Sequence, residues 1–399
     1  MQQTLAKAPA NAPAESPAPT ASPAPSASSV PVKAPGQTLA KALSIRNLDK
    51  SYPLGGGRRL PVVTDFNLDL APGEFVTLLG PSGCGKTTVL RTLAGLEDFE
   101  SGEILLDSRS IARLPAHHRR IGLVFQNYAL FPHMSVFENV AYSLRLRRVA
   151  EATVRSEVAA ALAAVGLEDY GPRMPGQLSG GQQQRVAVAR ALVMHPDLLL
   201  FDEPLSNLDA KLRVQVRSEL RRLQRRLGTT ALFVTHDQDE AMSLSDRIAV
   251  MKSGRIEQVG APEEIYARPA TLFVAQFVGK VNALPATIVG EANGQVEIDM
   301  LGTRLRAPSP ATGLPRDVLA LLRPEAVTLG GPDSGLPGIV EDIEFLGDLT
   351  EYGIRVGDSL VTSVRSALGD SWKIREGDRV GIGFKEQTIH LLPRTEAAV

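Results

Sequence analysis

Short apolar runs alternate with amphipathic stretches over the middle of the chain. The runs at 75–79, 198–201 and 231–235 predict three buried strands. A Gly-rich turn and a helix that begins near Lys86 follow the first of these runs. Strands that alternate with helices in this way indicate a parallel, doubly wound sheet.

The segment between the first two strands has a helical pattern. Apolar residues recur there at helical spacing, at Val154, Val158, Leu162 and Val165. Gly166 follows them and is placed to cap the C-terminus of this helix. We therefore expect a mostly helical region inserted between the strands.

Beyond about residue 280 the apolar period changes to two. Apolar and polar residues alternate around Tyr352, Ile354 and Val356, and again around Val380, Ile382 and Phe384. Gly, Pro and Asp separate these stretches, as expected for turns between short strands. The last ~115 residues are therefore predicted to form a small β-barrel.

The N-terminus differs from the rest of the chain. Ala, Pro and Ser supply 24 of the first 40 residues, and the first aromatic residue is Tyr52. Such a segment buries too little apolar surface to offset the entropy of ordering it, so we expect a disordered tail. It has no continuous apolar core flanked by basic residues, so we do not expect a secretory signal.

Composition excludes several functional classes. The 43 Lys and Arg residues balance 44 Asp and Glu residues, which argues against a nucleic-acid binder that relies on phosphate neutralisation. A single cysteine excludes a disulfide framework and a cysteine-rich zinc site. The apolar run at 158–167 is far shorter than the ~18 residues that span a bilayer, so any membrane role requires another chain.

A phosphate-binding loop follows the first apolar strand. The motif GxxxxGK[ST] is matched by Gly80, Pro81, Ser82, Gly83, Cys84, Gly85, Lys86, Thr87 and Thr88. Backbone N–H groups of such a loop surround phosphates, Lys86 would reach the β- and γ-phosphates, and Thr87 would offer its hydroxyl to Mg²⁺. Cys84 has two interpretations, a tolerated small residue or a thiol whose pKa the helix N-terminus lowers.

Two adjacent carboxylates, Asp202 and Glu203, end the second apolar strand. Ligands of parallel α/β sheets bind at this carboxyl edge. Asp202 fits a carboxylate that holds Mg²⁺, and Glu203 fits a base that polarises the attacking water.

The turn Leu178-Ser179-Gly180-Gly181-Gln182 opens a helix predicted over 183–193, which creates a second anion-binding helix N-terminus. With both phosphate motifs present, the chain resembles the nucleotide-binding subunits of ATP-binding cassette (ABC) transporters from about Ser44 to Gly279. The resemblance implies an α/β P-loop NTPase of the ABC ATPase type, with a parallel sheet core and a helical subdomain.

The resemblance also implies roles for individual side chains. Ser179, Gly180, Gly181 and Gln182 would cover the γ-phosphate held by the loop of a second subunit. Tyr52 would pack against adenine, Gln126 would sense Mg²⁺ and the γ-phosphate, and His236 would bond the γ-phosphate. Asp209, in the loop Ser206-Asn207-Leu208-Asp209, would act at the dimer interface. The implied Mg²⁺ set is Thr87, Gln126 and Asp202, and the implied catalytic set is Glu203, His236, Gln126 and Asp209.

Three segments are expected on this basis. They are a disordered Ala/Pro/Ser-rich tail at 1–41, an ABC ATP-binding domain at 42–280 with its helical subdomain at about 127–190, and an OB-like β domain at 281–399. Leu322-Arg323-Pro324-Glu325 and the alternating strands resemble the transport-associated OB-type domain.

The implied activity is ATP hydrolysis by a dimer, with a homodimer expected, that encloses two MgATP and powers solute import. Its expected partners are membrane permease subunits and, indirectly, a solute-binding protein, with no nucleic acid, at the cytoplasmic face of the inner membrane. The stretch 277–285 is closest to importers of polyamines (spermidine and putrescine), ferric iron or phosphonates; sugar, sulfate and molybdate importers are the alternatives.

Two other functional classes share parts of this pattern. DNA-repair and chromosome ATPases are a remote alternative. They usually insert a long coiled coil or zinc modules between the two phosphate motifs, whereas the interval between these motifs is short in this chain. A C-terminal domain that mainly binds a regulatory ligand is the other. The solute, homo- or heterodimerisation and the purpose of the tail stay open.

Overall fold

The computed structural model describes residues 40–292, 294–309, 313–367 and 374–394. The chain divides into two units, Met1–Gln37 and Thr38–Val399, and every described residue belongs to the second. The tail predicted at 1–41 lies outside the described residues except for its last two positions.

Strands of the first 280 residues precede and follow a helical region. In chain order these strands are β1 (Leu43–Gly55), β2 (Arg58–Leu70), β3 (Phe75–Leu79), β4 (Ser101–Leu106), β5 (Arg109–Ser110), β6 (Ile121–Val124), β7 (Leu198–Asp202), β8 (Thr230–Thr235), β9 (Arg247–Lys252) and β10 (Arg255–Gly260). The α-helices are α1 (Lys86–Ala94), α2 (Val136–Leu146), α3 (Glu151–Ala164), α4 (Gly180–Leu192), α5 (Ala210–Leu227), α6 (Gln238–Leu244), α7 (Pro262–Ala267) and α8 (Leu272–Phe277).

A six-stranded sheet forms the centre, in the spatial order β10-β9-β3-β8-β7-β6. Its strands pair in parallel except for β10, which is antiparallel to β9. A second, antiparallel sheet has the order β2-β1-β4-β5. The predicted parallel sheet is therefore confirmed. The three predicted strands are β3, β7 and β8, and the last two are each one residue longer than predicted.

The central strands are mostly apolar because both faces of the sheet are covered. Phe75, Phe201 and Phe233 pack their rings together on the face that meets α2 to α5. Val76 and Leu200, which point the other way, pack against α1 and the antiparallel sheet. Successive residues thus serve opposite cores, and the polar residue within β3, Thr77, is buried and accepts a hydrogen bond from the Ser245 hydroxyl.

The helical region differs from expectation at three helix ends, one of which is the end of α4 at Leu192, one residue earlier than predicted. The cap of α3 is Val165, and Gly166 follows it with a left-handed φ of 67°, so the helix ends one residue earlier than predicted. Helix α4 begins at Gly180, not at 183, because Ser179 and Gln182 form a capping box. The two glycines of the turn therefore lie in the first turn of the helix.

Antiparallel strands make up the C-terminal part. They are β11 (Asn282–Ala292), β12 (Gln295–Met300), β13 (Thr303–Pro308), β14 (Asp317–Leu322), β15 (Val327–Gly330), β16 (Leu336–Phe345), β17 (Leu349–Val356), β18 (Ser359–Ser366), β19 (Arg379–Phe384) and β20 (His390–Pro393). Two five-stranded sheets, β13-β12-β11-β14-β20 and β15-β19-β16-β17-β18, pack around a shared core that includes Tyr352 and Ile354. The expected barrel-like β domain is present.

Arg323 joins these sheets to the helices before them. Its guanidinium lies 4.1 Å from the ring of Tyr266 and donates to the backbone oxygens of Tyr266, Ala275 and Gly279. Since contacts place all residues from Thr38 onward in one unit, the boundary at 280 stays a prediction. Among the described residues, the helices are too short or too polar to cross a bilayer.

Candidate nucleotide site

The loop 80–88 connects β3 to α1 in a shape that needs glycine. Gly85 has a φ of 105°, and a Cβ there would lie 2.7 Å from the backbone oxygen of Val62. Lys86 is only 5% exposed, and its ammonium donates to the backbone oxygens of Gly80 at 2.7 Å and Pro81 at 3.0 Å. The structure thus holds a buried positive charge inside a backbone loop at a helix N-terminus, which suits a phosphate.

Cys84 packs inside this loop. The side chain is 3% exposed, and its Sγ lies 3.9 Å from Nζ of Lys86. Burial raises the pKa of the Cys84 thiol, although the nearby ammonium acts in the opposite direction. The interpretation of Cys84 as a thiol with a lowered pKa is therefore wrong, because desolvation outweighs the helix N-terminus and Lys86.

Thr87 and Asp202 lie side by side at the ends of α1 and β7. The Thr87 hydroxyl donates to Oδ1 of Asp202 at 3.2 Å, and Asp202 is 7% exposed. Burial raises the pKa of Asp202, because its charge has lost water. A hydroxyl beside a carboxylate fits Mg²⁺, which takes oxygen ligands from one or two carboxylates and completes its shell with water and substrate phosphates.

We expect Asp202→Asn to raise the thermal stability of the chain at pH 7. The raised pKa means that the folded state binds a proton more tightly than the unfolded state, so stability falls as pH rises through this window. An amide avoids that loss, and the advantage should vanish once the pH falls below 3.8, the ordinary pKa of an Asp side chain. Melting curves from about pH 3 to 8, with the exposed Asp299→Asn as control, test this. An unchanged or lower Tm at pH 7 would contradict it.

Glu203 directly follows Asp202 and is held by its backbone. It has a left-handed φ of 44°, and its N–H donates to the backbone oxygen of Val234 at 3.0 Å. One carboxylate oxygen lies 3.1 Å from Nδ1 of His236, which follows β8. A non-glycine residue in this conformation is a strained feature typical of functional sites. Glu203, the predicted base, and His236, the predicted γ-phosphate ligand, therefore lie in contact.

A chain of hydrogen bonds connects Gln126 to the backbone of Glu203 through Ser206. Its side-chain amide donates to the Ser206 hydroxyl at 3.1 Å, and Ser206 donates to the backbone oxygen of Glu203 at 2.9 Å. Asn207 in turn donates to the backbone oxygen of Gln126 at 2.9 Å. Asp209 is exposed and caps α5 by accepting from the Leu212 N–H. Its role at a dimer interface stays a prediction.

Tyr52 lies near Thr88, the last residue of the loop 80–88. Its phenol donates a hydrogen bond to the carboxylate of Glu97. Burial is the main cause that raises the pKa of Tyr52, the bond to Glu97 raises it further, and a bond to Thr88 lowers it by less. The ammonium of Lys50 lies 4.9 Å from the ring centre. The ring is half-buried, so a face-on contact with adenine stays a prediction.

The motif Ser179–Gln182 stands apart from these groups. Ser179 is exposed, and it accepts from the Gln182 N–H at 3.4 Å while Gln182 accepts from the Ser179 N–H at 3.0 Å. Within the described chain, no hydrogen bond or ion pair joins this motif to the loop 80–88. The two phosphate motifs of one chain are therefore not bonded to each other among the described residues.

Arg213 links two elements of the site that sequence reasoning treated separately. It donates to the backbone oxygen of Leu208 at 3.1 Å and to Asp237 at 3.2 Å, so it joins the loop before α5 to the helix after His236. The Asp237 and Glu240 spacing could have signalled a helix start directly behind His236. Arg213 itself is one of many arginines in α5 and carries no such signal.

Comparisons with known proteins match both parts of the chain. Residues 63–206 match the ABC transporter family, and residues 320–392 match the TOBE domain. The chain is 46% identical over 333 residues to the Fe(3+) ions import ATP-binding protein FbpC of Agrobacterium fabrum, which covers 83% of this chain and 93% of the relative. It is 44% identical over 366 residues to the Spermidine/putrescine import ATP-binding protein PotA of Marinobacter nauticus, covering 90% of this chain and 96% of the relative.

Among solved structures, a dimeric post-hydrolysis state of an ATP-binding cassette bound to ADP and Pi has a TM-score of 0.49 and 32% identity. It covers 55% of this chain and 98% of that chain.

Proposed function

The chain belongs to the ABC transporter family of import ATP-binding subunits that carry a TOBE domain, and from this premise we propose that it works as a dimer enclosing two MgATP. One observation supports the catalytic part most strongly. Asp202, which pairs with Thr87, and Glu203, which pairs with His236, are consecutive residues at the carboxyl edge of the parallel sheet. In this proposal, the residues that would hold the metal and the residue that would act as the base therefore lie next to each other.

Catalysis in this proposal follows from positioning and charge. The loop N–H groups and Lys86 bind the β- and γ-phosphates. When bound by Thr87, Asp202 and Gln126, Mg²⁺ would neutralise charge on the phosphate oxygens.

The oxygen of a water molecule attacks the γ-phosphorus in line, and Glu203 accepts a proton from that water as the attack proceeds. The bond from that phosphorus to the bridging oxygen of ADP breaks. His236 holds the Glu203 carboxylate and bonds the γ-phosphate.

The signature turn completes the site from the second subunit. Ser179 is exposed at the N-terminus of α4, and among the described residues no hydrogen bond joins it to the loop 80–88 of the same chain. A helix N-terminus attracts phosphate, so the exposed turn suits the γ-phosphate of a partner's ATP. We propose a homodimer docked on permease subunits at the cytoplasmic face of the membrane.

We assign the transported solute to the polyamine, ferric iron or phosphonate class. The two relatives above are named as import subunits for Fe(3+) ions and for spermidine/putrescine, at 46% and 44% identity. Nearly equal identity to both supports the broader class and does not favour one solute within it.

A pull-down from native membranes with the ATP-loaded Glu203→Gln variant tests this function. We expect recovery of a polytopic permease, and the solute then follows from that partner. Lys86→Ala, which should not retain ATP, is the matched control and should recover less permease. Recovery of DNA-associated proteins without a membrane protein would overturn the transport assignment.

Substitution of Tyr52 tests the adenine contact. We expect Tyr52→Ala to weaken ATP binding by about tenfold, since stacking of a base on an aromatic ring is worth about 1–3 kcal/mol. Tyr52→Phe should bind ATP nearly as wild type, because it keeps the ring and loses only the bond to Glu97. Titration of a fluorescent ATP analogue measures both. Equal affinities for the Ala and Phe variants would refute a role for the ring.

A further inference from the structure

The half-buried side chain of Arg213, in α5, bridges the loop 206–209 and the segment that carries His236. Its Nη2 donates to the backbone oxygen of Leu208 at 3.1 Å, and its Nη1 donates to Oδ2 of Asp237 at 3.2 Å. Leu208 lies within the loop, and Asp237 is the residue directly after His236. One guanidinium therefore connects the loop to the backbone beside the predicted γ-phosphate ligand.

The backbone around His236 is held by a closed set of hydrogen bonds. The Asp237 N–H donates to the Thr235 hydroxyl at 3.0 Å, and that hydroxyl donates to Glu240 at 2.6 Å. Asp237 also caps α6, since its Oδ1 accepts from the Glu240 N–H at 3.0 Å. Because one oxygen of Asp237 holds the helix and the other bonds Arg213, a shift of the guanidinium would displace the residue next to His236.

The same loop also reaches the predicted catalytic carboxylate. Ser206 donates to the backbone oxygen of Glu203 at 2.9 Å, and a carboxylate oxygen of Glu203 lies 3.1 Å from Nδ1 of His236. The loop 206–209 and His236 are thus joined twice, through Glu203 and through Arg213. Among the described residues, the Arg213 guanidinium has no hydrogen bond or ion pair with a predicted nucleotide ligand or catalytic side chain, so any effect it has is exerted through its neighbours.

We propose that Arg213 is a positioning residue that holds His236 where it bonds the γ-phosphate, by anchoring the backbone beside it to the loop 206–209. This role rests on the proposed function, in which His236 bonds the γ-phosphate. Arginine suits the task because its planar guanidinium is always charged and presents separate donors in a fixed geometry. One donor bonds Asp237 and another bonds Leu208, so a single rigid group fixes both segments.

A double-mutant cycle on the purified full-length protein tests whether Arg213 acts through His236. We expect His236→Ala to lower kcat by about 10²-fold, the usual effect of losing one preorganised hydrogen-bond donor. Arg213→Ala should lower kcat by about tenfold through misplacement of His236. The KM for ATP should stay within about twofold, because the phosphate-binding loop 80–88 is unchanged. In the His236→Ala background, loss of Arg213 should change kcat by less than about twofold.

Asp237→Asn is a second variant, because Arg213→Ala also removes the cation that lies 3.9 Å from Glu240, which is only 3% exposed. Asn caps a helix about as well as Asp, so α6 should keep its start and the chain its Tm. The amide no longer offers Arg213 a carboxylate. Asp237→Asn should therefore lower kcat, and this effect should also disappear in the His236→Ala background.

Arg221→Ala is the matched control. Arg221 lies about two turns further along α5, is partly buried and pairs with Asp246, which follows the other end of α6. Its removal loosens the same pair of helices away from His236, so kcat should stay within about twofold of wild type, whatever its effect on the Tm.

The outcomes separate this role from the proposed function. Wild-type kcat in both Arg213→Ala and Asp237→Asn would overturn the positioning role alone. So would losses of the same size with and without His236, or an equal loss in Arg221→Ala. Wild-type kcat in His236→Ala would overturn both the assigned role of His236 and the inference built on it.

Discussion

Glu203→Gln is expected to lower the rate of ATP hydrolysis by about 10²-fold or more, the usual effect of removing a general base. The amide has nearly the same shape and still lies beside His236, but it cannot accept the proton of the attacking water. ATP affinity should stay within a few-fold of wild type, because the phosphate-binding groups are the loop N–H donors and Lys86. Phosphate release and nucleotide titration measure the two effects separately.

The exposed Glu263→Gln serves as the control for removal of one carboxylate, and it should hydrolyse ATP at the wild-type rate. Hydrolysis at that rate by Glu203→Gln would refute the assigned base. An equal loss of ATP binding would instead make Glu203 a binding residue.

Lys86→Ala is expected to weaken ATP binding by on the order of 10²-fold, because charge-assisted hydrogen bonds to a desolvated phosphate are lost together. In the structure the Lys86 ammonium is buried and held only 2.7 Å and 3.0 Å from two backbone oxygens of its own loop. Titration with ATP measures the loss.

Lys280→Ala is the matched control, since Lys280 is also a bonded lysine but pairs with Glu351 in the C-terminal part. It should bind ATP as wild type does. Wild-type affinity in Lys86→Ala, with the fold intact by its Tm, would contradict the assignment of the loop.

The strands and the phosphate loop could be predicted because their signals are local. Phe75–Leu79 is buried on both faces and is apolar except for Thr77, so its bounds could be predicted correctly from the sequence. The Gly-rich loop after it is constrained by the close approach at Gly85, which only a residue without Cβ allows. Both features follow from steric rules that act within a few residues.

Features that depend on several elements at once were not predictable. The pKa of Cys84 rises because the strands and α1 bury the thiol, a fact that the loop sequence does not contain. Helix α4 starts at Gly180 because Ser179 and Gln182 form a capping box, whereas the sequence pattern placed these residues in the turn before the helix. Gln184 looks like any helical glutamine in the sequence, and its burial without a hydrogen-bond partner among the described residues is visible only after α3, α4 and α5 are packed.

The central claim is that each ATP lies between the phosphate loop of one subunit and the signature turn of another. Two variants separate these halves. Lys86→Ala disables the loop, and Ser179→Asp keeps a good helix cap but places a carboxylate where a γ-phosphate would bind. Ser179→Asn retains the cap without the charge and is the control, which should keep activity well above that of Ser179→Asp.

The most direct measurement is the ATPase rate of two heterodimers, each purified through a different tag on each subunit. One pairs a wild-type subunit with a subunit that carries both substitutions, which breaks both shared sites but leaves one chain intact. The other pairs a Lys86→Ala subunit with a Ser179→Asp subunit, which leaves one shared site intact. We predict that the first is inactive and the second hydrolyses ATP. Activity in the first and none in the second would show that a single chain completes its own site, and would contradict this account.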